Sequence, residues 1–161
     1  VWALAGLGGS RVASGSEDGT LRAWDLSRAQ PLGDIGSTGV PVRALAALPG
    51  GTLASGHTDG LIRLWSPRAA GGWARAGELS GHQADVRALA ALPGGGLASG
   101  SEDGTVRVWS LPDARGEVVG RHTDFVTGLC VLGDGRLASA SYDGTVALRD
   151  LPRPARSRAA S

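Results

Sequence analysis

Serine, histidine and aspartate recur at fixed spacing along the chain, and these residue types together could carry out nucleophilic catalysis. A serine hydroxyl needs a base to remove its proton, and a carboxylate can orient that base. The most complete set is His82, Ser99 and Asp103, in which the serine lies four residues before the aspartate and the histidine lies 21 residues before it. Trp109 follows the aspartate by six residues. This group of four either reacts or supports the fold.

The recurrence of the group favours a structural role. A hydrolase needs one reactive serine beside donors that stabilise an oxyanion, whereas here the same spacing returns in other parts of the chain. No segment resembles the sharp turn that exposes a nucleophilic serine, and the chain has no lysine to complete a phosphate-binding loop. The three histidines are too dispersed to indicate a zinc site. We therefore expect no enzyme activity, no metal and no cofactor.

Composition indicates one small globular domain. The 161 residues are 42% hydrophobic and 19% charged, which excludes a disordered tail. Apolar stretches such as 44–48 are far shorter than the roughly 20 residues of a membrane-spanning helix. The net charge of +1 gives no general attraction to nucleic acid. The single cysteine, Cys130, allows no internal disulfide, and its apolar neighbours predict a buried structural thiol.

The chain consists of four copies of one sequence unit. The shared part reads VASGSEDGTLRAWD in the first copy and LASGSEDGTVRVWS in the third. Its aspartates are Asp18, Asp59, Asp103 and Asp143, at spacings of 41, 44 and 40 residues. Repeats of this length indicate an array, a solenoid or a propeller.

Each copy is predicted to form short β-strands. In the third copy, apolar or β-branched runs at 86–92, 97–101 and 105–109 are separated by a Pro-Gly-Gly turn and an Asp-Gly turn. An Asp-Gly pair between such runs is the strongest short signal for a hairpin. A weaker fourth run follows at 114–119, and no helical periodicity competes. We therefore predict an all-β protein built from units of four antiparallel strands, the size of one propeller blade.

These motifs make the sequence resemble the WD-repeat family of β-propellers. Gly81-His82 begins the third copy, and a tryptophan lies six residues after the aspartate in each of the first three copies. The resemblance covers residues 1–151 and implies a propeller segment with blades at about 1–35, 36–79, 80–119 and 120–151. Residues 152–161 are predicted to be a polar tail rich in arginine and proline.

The resemblance also implies that the recurring polar residues form a structural hydrogen-bonded tetrad in each blade. Physical chemistry supports this in the third copy, where the offsets from the Asp-Gly turn predict that Ser99 and Trp109 lie opposite each other on one face. A buried indole N–H needs an acceptor, which the Ser99 hydroxyl can provide. That hydroxyl can donate to His82, whose other nitrogen can donate to Asp103.

The other three copies contain incomplete versions of the tetrad. The second copy has Thr38 at the histidine position, and the fourth has Arg149 at the tryptophan position. In the first copy the histidine position would precede Val1. The remaining expected members are Ser14, Asp18 and Trp24 in the first copy, Ser55, Asp59 and Trp65 in the second, and His122, Ser139 and Asp143 in the fourth.

The number of copies predicts an incomplete ring. Closed propellers contain about 4 to 8 blades, and the resembled family's blades suit a ring of about seven better than one of four. The last copy also lacks the outer strand that an N-terminal segment normally supplies in this family. We therefore predict a partial, open propeller with two uncovered apolar faces. The chain is then either a fragment of a ring of about seven or eight blades, or half of a ring that two copies complete by self-association.

The loops around the aspartates are the first candidates for binding a partner. Arginine and aromatic residues are enriched where interfaces concentrate their binding energy. Phe125 and Tyr142 are therefore candidates for contact with a partner. The alternative is that Phe125 packs on a neighbouring blade and Tyr142 caps a turn. The candidate partner-binding residues are Arg43, Arg87, Asp85, Glu102, Phe125 and Tyr142.

The sequence therefore predicts a non-catalytic scaffold for protein–protein interaction. Propellers hold loops on a rigid frame, and such loops recruit protein or peptide partners. The alternative is a regulatory or targeting fragment of a larger multidomain protein, an enzyme or a ubiquitin-ligase substrate receptor, whose chemistry lies outside this chain. We expect an intracellular location, in the cytoplasm or the nucleus.

Replacing Asp103 by alanine tests the tetrad. The variant removes the acceptor of a buried donor, and we expect the free energy of unfolding to fall by about 1–3 kcal/mol. Chemical denaturation of the variant and of the parent chain measures the difference. Equal stability of the two proteins would contradict the assignment.

Overall fold

The computed structural model describes residues 1–111 and 113–151 of the chain. In this part of the chain, 15 strands form four separate antiparallel sheets, each built from consecutive segments. The only other regular element there is a short 3-10 turn at Pro49–Gly51, and no helix is long and apolar enough to cross a membrane. The predicted all-β fold with four propeller blades is confirmed. The predicted polar tail at 152–161 lies outside the described residues.

Within the described residues, blades one to three have four strands each and blade four has three. The first blade contains β1 (Ala3–Gly8), β2 (Arg11–Gly15), β3 (Thr20–Asp25) and β4 (Gln30–Ser37). The second contains β5 (Val42–Ala47), β6 (Leu53–His57), β7 (Ile62–Pro67) and β8 (Trp73–Leu79). The third contains β9 (Val86–Ala91), β10 (Leu97–Ser101), β11 (Thr105–Ser110) and β12 (Arg115–Arg121). The fourth contains β13 (Val126–Val131), β14 (Leu137–Ser141) and β15 (Val146–Arg149).

The register of each Asp-Gly hairpin fixes which side chains share a face. In the third blade, Ser99 pairs with Arg107 and Leu97 pairs with Trp109. The prediction that Ser99 and Trp109 lie directly opposite each other is wrong. The hairpin is centred on Asp103, whereas a direct pair of Ser99 and Trp109 would require a centre one residue later. The two side chains are diagonal neighbours on one face, which a long aromatic side chain can span.

Apolar side chains between consecutive blades form the core. Three clusters of buried residues join the first blade to the second, the second to the third, and the third to the fourth. In the first cluster, Leu21 and Ile35 pack with Val42, Leu45 and Trp65 of the second blade. Full burial of an aliphatic side chain contributes about 1.5–3 kcal/mol. The apolar core therefore lies between consecutive blades.

A glycine in the second strand of each of the first three blades lets the next blade approach closely. A Cβ built on Gly100 would lie 2.5 Å from Val126 Cγ1, and one on Gly56 would lie 2.7 Å from Val86 Cγ1. Gly15 receives the first valine of the second blade in the same way. The distance between blades therefore depends on the absence of a side chain at these three positions.

The arc of blades is open between the fourth blade and the first. Leu4 on the first blade is 67% exposed, whereas the equivalent Leu45 on the second blade is 8% exposed. At the other end, Val146 is 69% exposed, whereas its third-blade equivalent Val106 is fully buried. The prediction of a partial, open propeller is confirmed, because side chains that are buried between blades are uncovered at both ends.

Cys130 is exposed, so the prediction of a buried thiol is wrong. Its counterpart in the second blade, Ala46, is buried in the cluster that the second blade forms with the third. Cys130 lies on the side of the fourth blade that no following blade of the described chain covers. Its apolar sequence neighbours therefore indicate a blade interface that these four blades do not complete.

Replacing Gly100 by alanine tests how closely the blades must approach. We expect the free energy of unfolding to fall by about 1–3 kcal/mol, because the added methyl group forces Val126 and its blade outward. The matched control is Gly6→Ala on β1, where a Cβ would have no heavy atom within 4 Å. Urea denaturation compares the two variants, and a loss of the same size in both would show that glycine is not needed for blade contact.

Candidate functional site

The third blade contains the complete polar tetrad. The Trp109 indole N–H donates to Ser99 Oγ at 2.7 Å, and the Ser99 hydroxyl donates to His82 Nε2 at 2.7 Å. His82 Nδ1–H donates to Asp103 Oδ2 at 2.9 Å. The Thr105 hydroxyl donates to the other carboxylate oxygen at 2.6 Å. Every side-chain donor of the tetrad therefore has an acceptor.

The tetrad of the third blade contains a charged carboxylate and a neutral imidazole at neutral pH. Burial would raise the pKa of Asp103, but hydrogen bonds from Thr105, the Gln83 amide and His82 outweigh it and hold the pKa at about 2. Burial lowers the pKa of His82, and the hydrogen bond to Asp103 offsets this only in part. A neutral imidazole has one donor and one acceptor nitrogen, as this chain of hydrogen bonds requires.

Ser99 is poorly placed for nucleophilic attack. Its side chain is fully buried, and its hydroxyl group is engaged by both Trp109 and His82. A cavity of about 1070 Å³ lies at the opposite end of the blades, where the turn at Leu92 and Pro93 and the start of strand β12 line it without Ser99. The geometry of the trio therefore favours support of the fold over catalysis.

In the second blade, the imidazole comes from a residue that the sequence analysis did not select. Thr38 occupies the histidine position, and its hydroxyl donates to the Val40 carbonyl at 2.9 Å. His57, at the end of β6, accepts from the Ser55 hydroxyl through Nε2 at 2.8 Å. Trp65 donates to the same hydroxyl oxygen at 2.8 Å. The imidazole therefore reaches the serine from its own strand rather than from the preceding loop.

A sequence signal for His57 exists. The third and fourth copies have Ser101 and Ser141 at this position, and the histidine occurs in the copy whose loop histidine is replaced. Residues two apart on a strand point to the same face, so His57 could have been placed beside Ser55. Burial lowers the pKa of His57 to about 4, and the nearby Arg63 guanidinium adds to the effect. The second blade therefore holds a neutral, buried histidine.

Asp59 of the second blade makes a different contact from the one expected. Both of its carboxylate oxygens accept from Arg63, at 3.1 and 2.7 Å. Arg63 is itself buried and also lies 3.7 Å from Glu78. The aspartate therefore neutralises a buried arginine instead of binding an imidazole.

The first blade retains only two linked members of the tetrad. Trp24 donates to Ser14 Oγ at 2.8 Å. Asp18 accepts from the Thr20 hydroxyl at 2.7 Å, and this hydrogen bond lowers the pKa of the Asp18 carboxyl. The indole–serine bond therefore forms without an imidazole.

In the fourth blade, a guanidinium replaces the indole. His122 connects Ser139 and Asp143, with Nε2 2.8 Å from the serine hydroxyl and Nδ1 3.0 Å from the carboxylate. Arg149 donates from Nη1 to Ser139 Oγ. Its side chain lies against Gly120 of the third blade, where a Cβ would collide with the guanidinium. Arg149 thus provides both the donor and the contact with the preceding blade.

The two arginines among the candidate partner-binding residues connect neighbouring blades. Arg43 of the second blade donates from Nη1 to Glu17 of the first at 3.2 Å, and its Nε lies 3.5 Å from Asp85 Oδ2 of the loop before β9. The Arg43 guanidinium also lies over the Trp2 ring, 3.9 Å from its centre. One arginine thus connects the loops of three blades.

The second arginine connects the third blade to the fourth. Arg87 pairs with Glu102 and lies 5.9 Å from the centre of the Phe125 ring. Phe125 in turn contacts Tyr142, with ring centres 6.1 Å apart. We call the side chains of this surface the loop row. They are Trp2, Glu17, Arg43, Asp85, Arg87, Glu102, Phe125 and Tyr142.

Comparisons with known proteins agree with this architecture. The sequence model of the family described as "WD domain, G-beta repeat" matches residues 1–25, 30–66, 73–110 and 117–150. A comparison with curated proteins gives no match.

Two similar solved structures are computationally designed proteins. The chain resembles the designed Ika4 protein with 30% sequence identity and a TM-score of 0.74, over 94% of this chain and 91% of that one. It resembles the designed Ika8 protein with 32% identity and a TM-score of 0.74, over 91% of this chain. The chain spans 44% of the length of Ika8.

Replacing His57 by serine tests the substitute histidine. At pH 7 we expect a loss of about 1–3 kcal/mol in the free energy of unfolding, because the buried Ser55 hydroxyl loses its short hydrogen bond to His57 and keeps only the Arg63 carbonyl at 3.3 Å as an acceptor. The folded-state pKa of His57, about 4, lies below its ordinary value of 6.5. The parent chain should therefore lose stability as pH falls from 6.5 toward 4, by about 3 kcal/mol from this residue, and the variant should lose less. Urea denaturation at several pH values measures both effects.

The double variant Thr38→His with His57→Ser is the matched control. It copies the arrangement of the third blade, with a loop histidine and a serine two residues after the strand serine. We expect it to recover stability relative to His57→Ser alone. An unchanged pH dependence in His57→Ser would show that this residue does not titrate on unfolding.

Proposed function

Since this chain belongs to the WD40 family of repeat proteins, we propose that it is a non-catalytic scaffold that recruits protein or peptide partners through the loop row. The family is typically used for protein interaction. The observation that carries the proposal is the loop row itself, in which arginine, carboxylate and aromatic side chains from four blades form two contacting groups, one around Arg43 and one around Arg87. A backbone hydrogen bond from the Glu102 amide to the Asp85 carbonyl joins the two groups.

The loop row is organised before any partner binds. Arg43 is held by Glu17, Asp85 and Trp2, and Arg87 is held by Glu102. Side chains that are already fixed lose little conformational entropy on binding. This supports a recognition surface whose geometry comes from the blades rather than from flexible loops.

The charges of the loop row favour a basic partner segment. Both arginines are already matched by carboxylates, whereas the side chain of Glu17 is 54% exposed and Asp124 beside the row is also exposed. Trp2 and Tyr142 are each more than half exposed and add aromatic surface. We propose a peptide that carries lysine or arginine next to apolar side chains, since such groups pair with carboxylates and lie over aromatic rings.

The proposal assigns a structural role to the tetrads. The buried Ser99 hydroxyl and the neutral His82 are engaged within their blade, and an enzyme would need the same groups to face a substrate. We propose that the tetrads orient the indoles that pack between blades. An intracellular location is part of the same proposal.

A second candidate function is a regulatory or targeting segment of a larger protein. The observation that favours it is the pair of uncovered blade faces, which further blades of a longer chain would cover. For the chain by itself, we propose self-association through these two faces, because the exposed side chains there include Leu4 and Val146.

Replacing Tyr142 by alanine tests the loop row. Tyr142 is largely exposed, so we expect unchanged stability but a loss of about tenfold in affinity for a bound peptide, the size expected when one interface aromatic is truncated. The probes are basic peptides selected from a random display library against the parent chain, with acidic peptides of equal length for comparison. Fluorescence anisotropy measures the affinity.

Two controls make the result specific. Val118→Ala removes an exposed side chain from the outer strand β12 and should leave peptide affinity unchanged. Phe125→Ala separates binding from packing, because a large loss of stability in this variant would show that Phe125 is a packing residue. Selected peptides that are acidic, or that bind equally well after Tyr142→Ala, would contradict the proposed surface.

A further inference from the structure

The first and fourth blades each present a face with the composition of an internal blade interface. We define the leading face of the first blade by Val1 and Leu4, and the trailing face of the fourth blade by Ala140, Val146 and Leu148. These side chains are exposed, apart from the half-buried Ala140. Their counterparts inside the arc are buried or partly buried against the next or the preceding blade. The surface that would cover either face is therefore another blade.

The two faces are complementary, because every internal joint pairs one trailing face with one leading face. In the joint between the first two blades, Leu21 and Ala23 of the trailing face pack against Val42 and Leu45 of the leading face. Val146 and Leu148 occupy the positions of Leu21 and Ala23 in the fourth blade, and Val1 and Leu4 occupy those of Val42 and Leu45 in the first. The chain thus carries both halves of one further joint.

We propose that two copies of this chain associate head to tail, with the trailing face of each copy against the leading face of the other, and so close a ring of eight blades. This rests on the self-association proposed above and names its geometry. A head-to-tail contact closes into a ring when its rotation fits and otherwise grows into a filament. Eight blades lie within the size range of closed propellers.

The loops at the junction also match. Within the chain, Arg43 and Glu17 form an ion pair across the first joint. The equivalent positions at the two ends hold Trp2, which follows Val1, and Tyr142, which precedes the turn aspartate of the fourth blade. Both aromatic side chains are mostly exposed. Closing the ring would therefore replace an internal ion pair with an aromatic pair, which suits an interface between copies.

One residue makes this junction looser than the joints inside the chain. The first three blades have a glycine where the valine of the next blade enters, and the fourth blade has Ala140. Ala140 holds the position in the fourth blade that Gly100 holds in the third. A Cβ on Gly100 would lie only 2.5 Å from Val126 Cγ1, so the Ala140 methyl group leaves too little room for a valine that enters in the same way. Val1 of the second copy must shift to avoid it. The structure therefore predicts weak, reversible association that Ala140→Gly strengthens.

Sedimentation velocity across a wide range of protein concentration tests the proposal on the full chain. We expect a species of twice the 16.2 kDa of one chain that dissociates on dilution. Leu148→Glu should abolish this species, whereas the matched control Leu32→Glu, at an equally exposed leucine of the outer strand β4, should not. Ala140→Gly should lower the dimer dissociation constant by about tenfold. Thermal melts of dilute samples check that each variant folds.

Cys130 provides an independent readout in the unmodified chain. It is the only cysteine, it is exposed, and the junction would cover it as the third blade covers Ala46. Its labelling by a thiol reagent should slow as protein concentration rises, and Leu148→Glu should remove this dependence.

Each alternative result has a defined meaning. A chain that remains monomeric at every concentration would overturn self-association itself. A dimer that persists in Leu148→Glu would overturn the head-to-tail geometry, and open oligomers larger than two copies would overturn ring closure. Peptide binding by the loop row is tested separately, by Tyr142→Ala in the dilute, monomeric chain.

Discussion

Each joint between blades depends on the close approach of a valine to a glycine on the preceding blade. Val86 against Gly56 and Val126 against Gly100 leave no room for even a methyl group. Dispersion attraction falls steeply with distance, so this contact controls how much apolar surface the blades bury together. The indoles of Trp65 and Trp109 lie in the same joints, and Trp65 packs on Gly36 of the preceding blade. The tetrads support this packing because a hydrogen-bonded indole has one fixed orientation.

Comparison of the four blades shows which part of the tetrad the joints require. A donor to the serine hydroxyl is present in all four, from Trp24, Trp65, Trp109 or Arg149. The source of the imidazole varies more. It comes from a loop in the third and fourth blades and from a strand in the second, and no imidazole is among the described residues of the first. A buried hydroxyl must be satisfied, but the satisfying group need not come from one place. The indole or guanidinium is fixed because it also fills the space between blades.

Local sequence was sufficient to predict the fold because its signals are local. The Asp-Gly hairpins, the 40-residue period and the spacing of His82, Ser99 and Asp103 lie within single copies. Properties that depend on a neighbouring blade were harder to predict. The apolar neighbours of Cys130 indicate an interface position, but only the absence of a following blade in the described chain makes it exposed. His57 was missed because its role depends on burial beside Ser55, and the motif of the family directs attention to the loop position instead.

The same joints that bury the core also place the loop row, because Arg43 and Arg87 contact residues on adjacent blades. A change in blade spacing therefore alters the recognition surface even when no residue of that surface is changed. Tyr142 lies where the row meets the uncovered edge of the fourth blade, and Trp2 lies at the opposite end. If two copies close a ring, these aromatics meet, and two separate rows become one continuous surface. Assembly and partner binding would then be linked, because each would favour the blade spacing that the other needs.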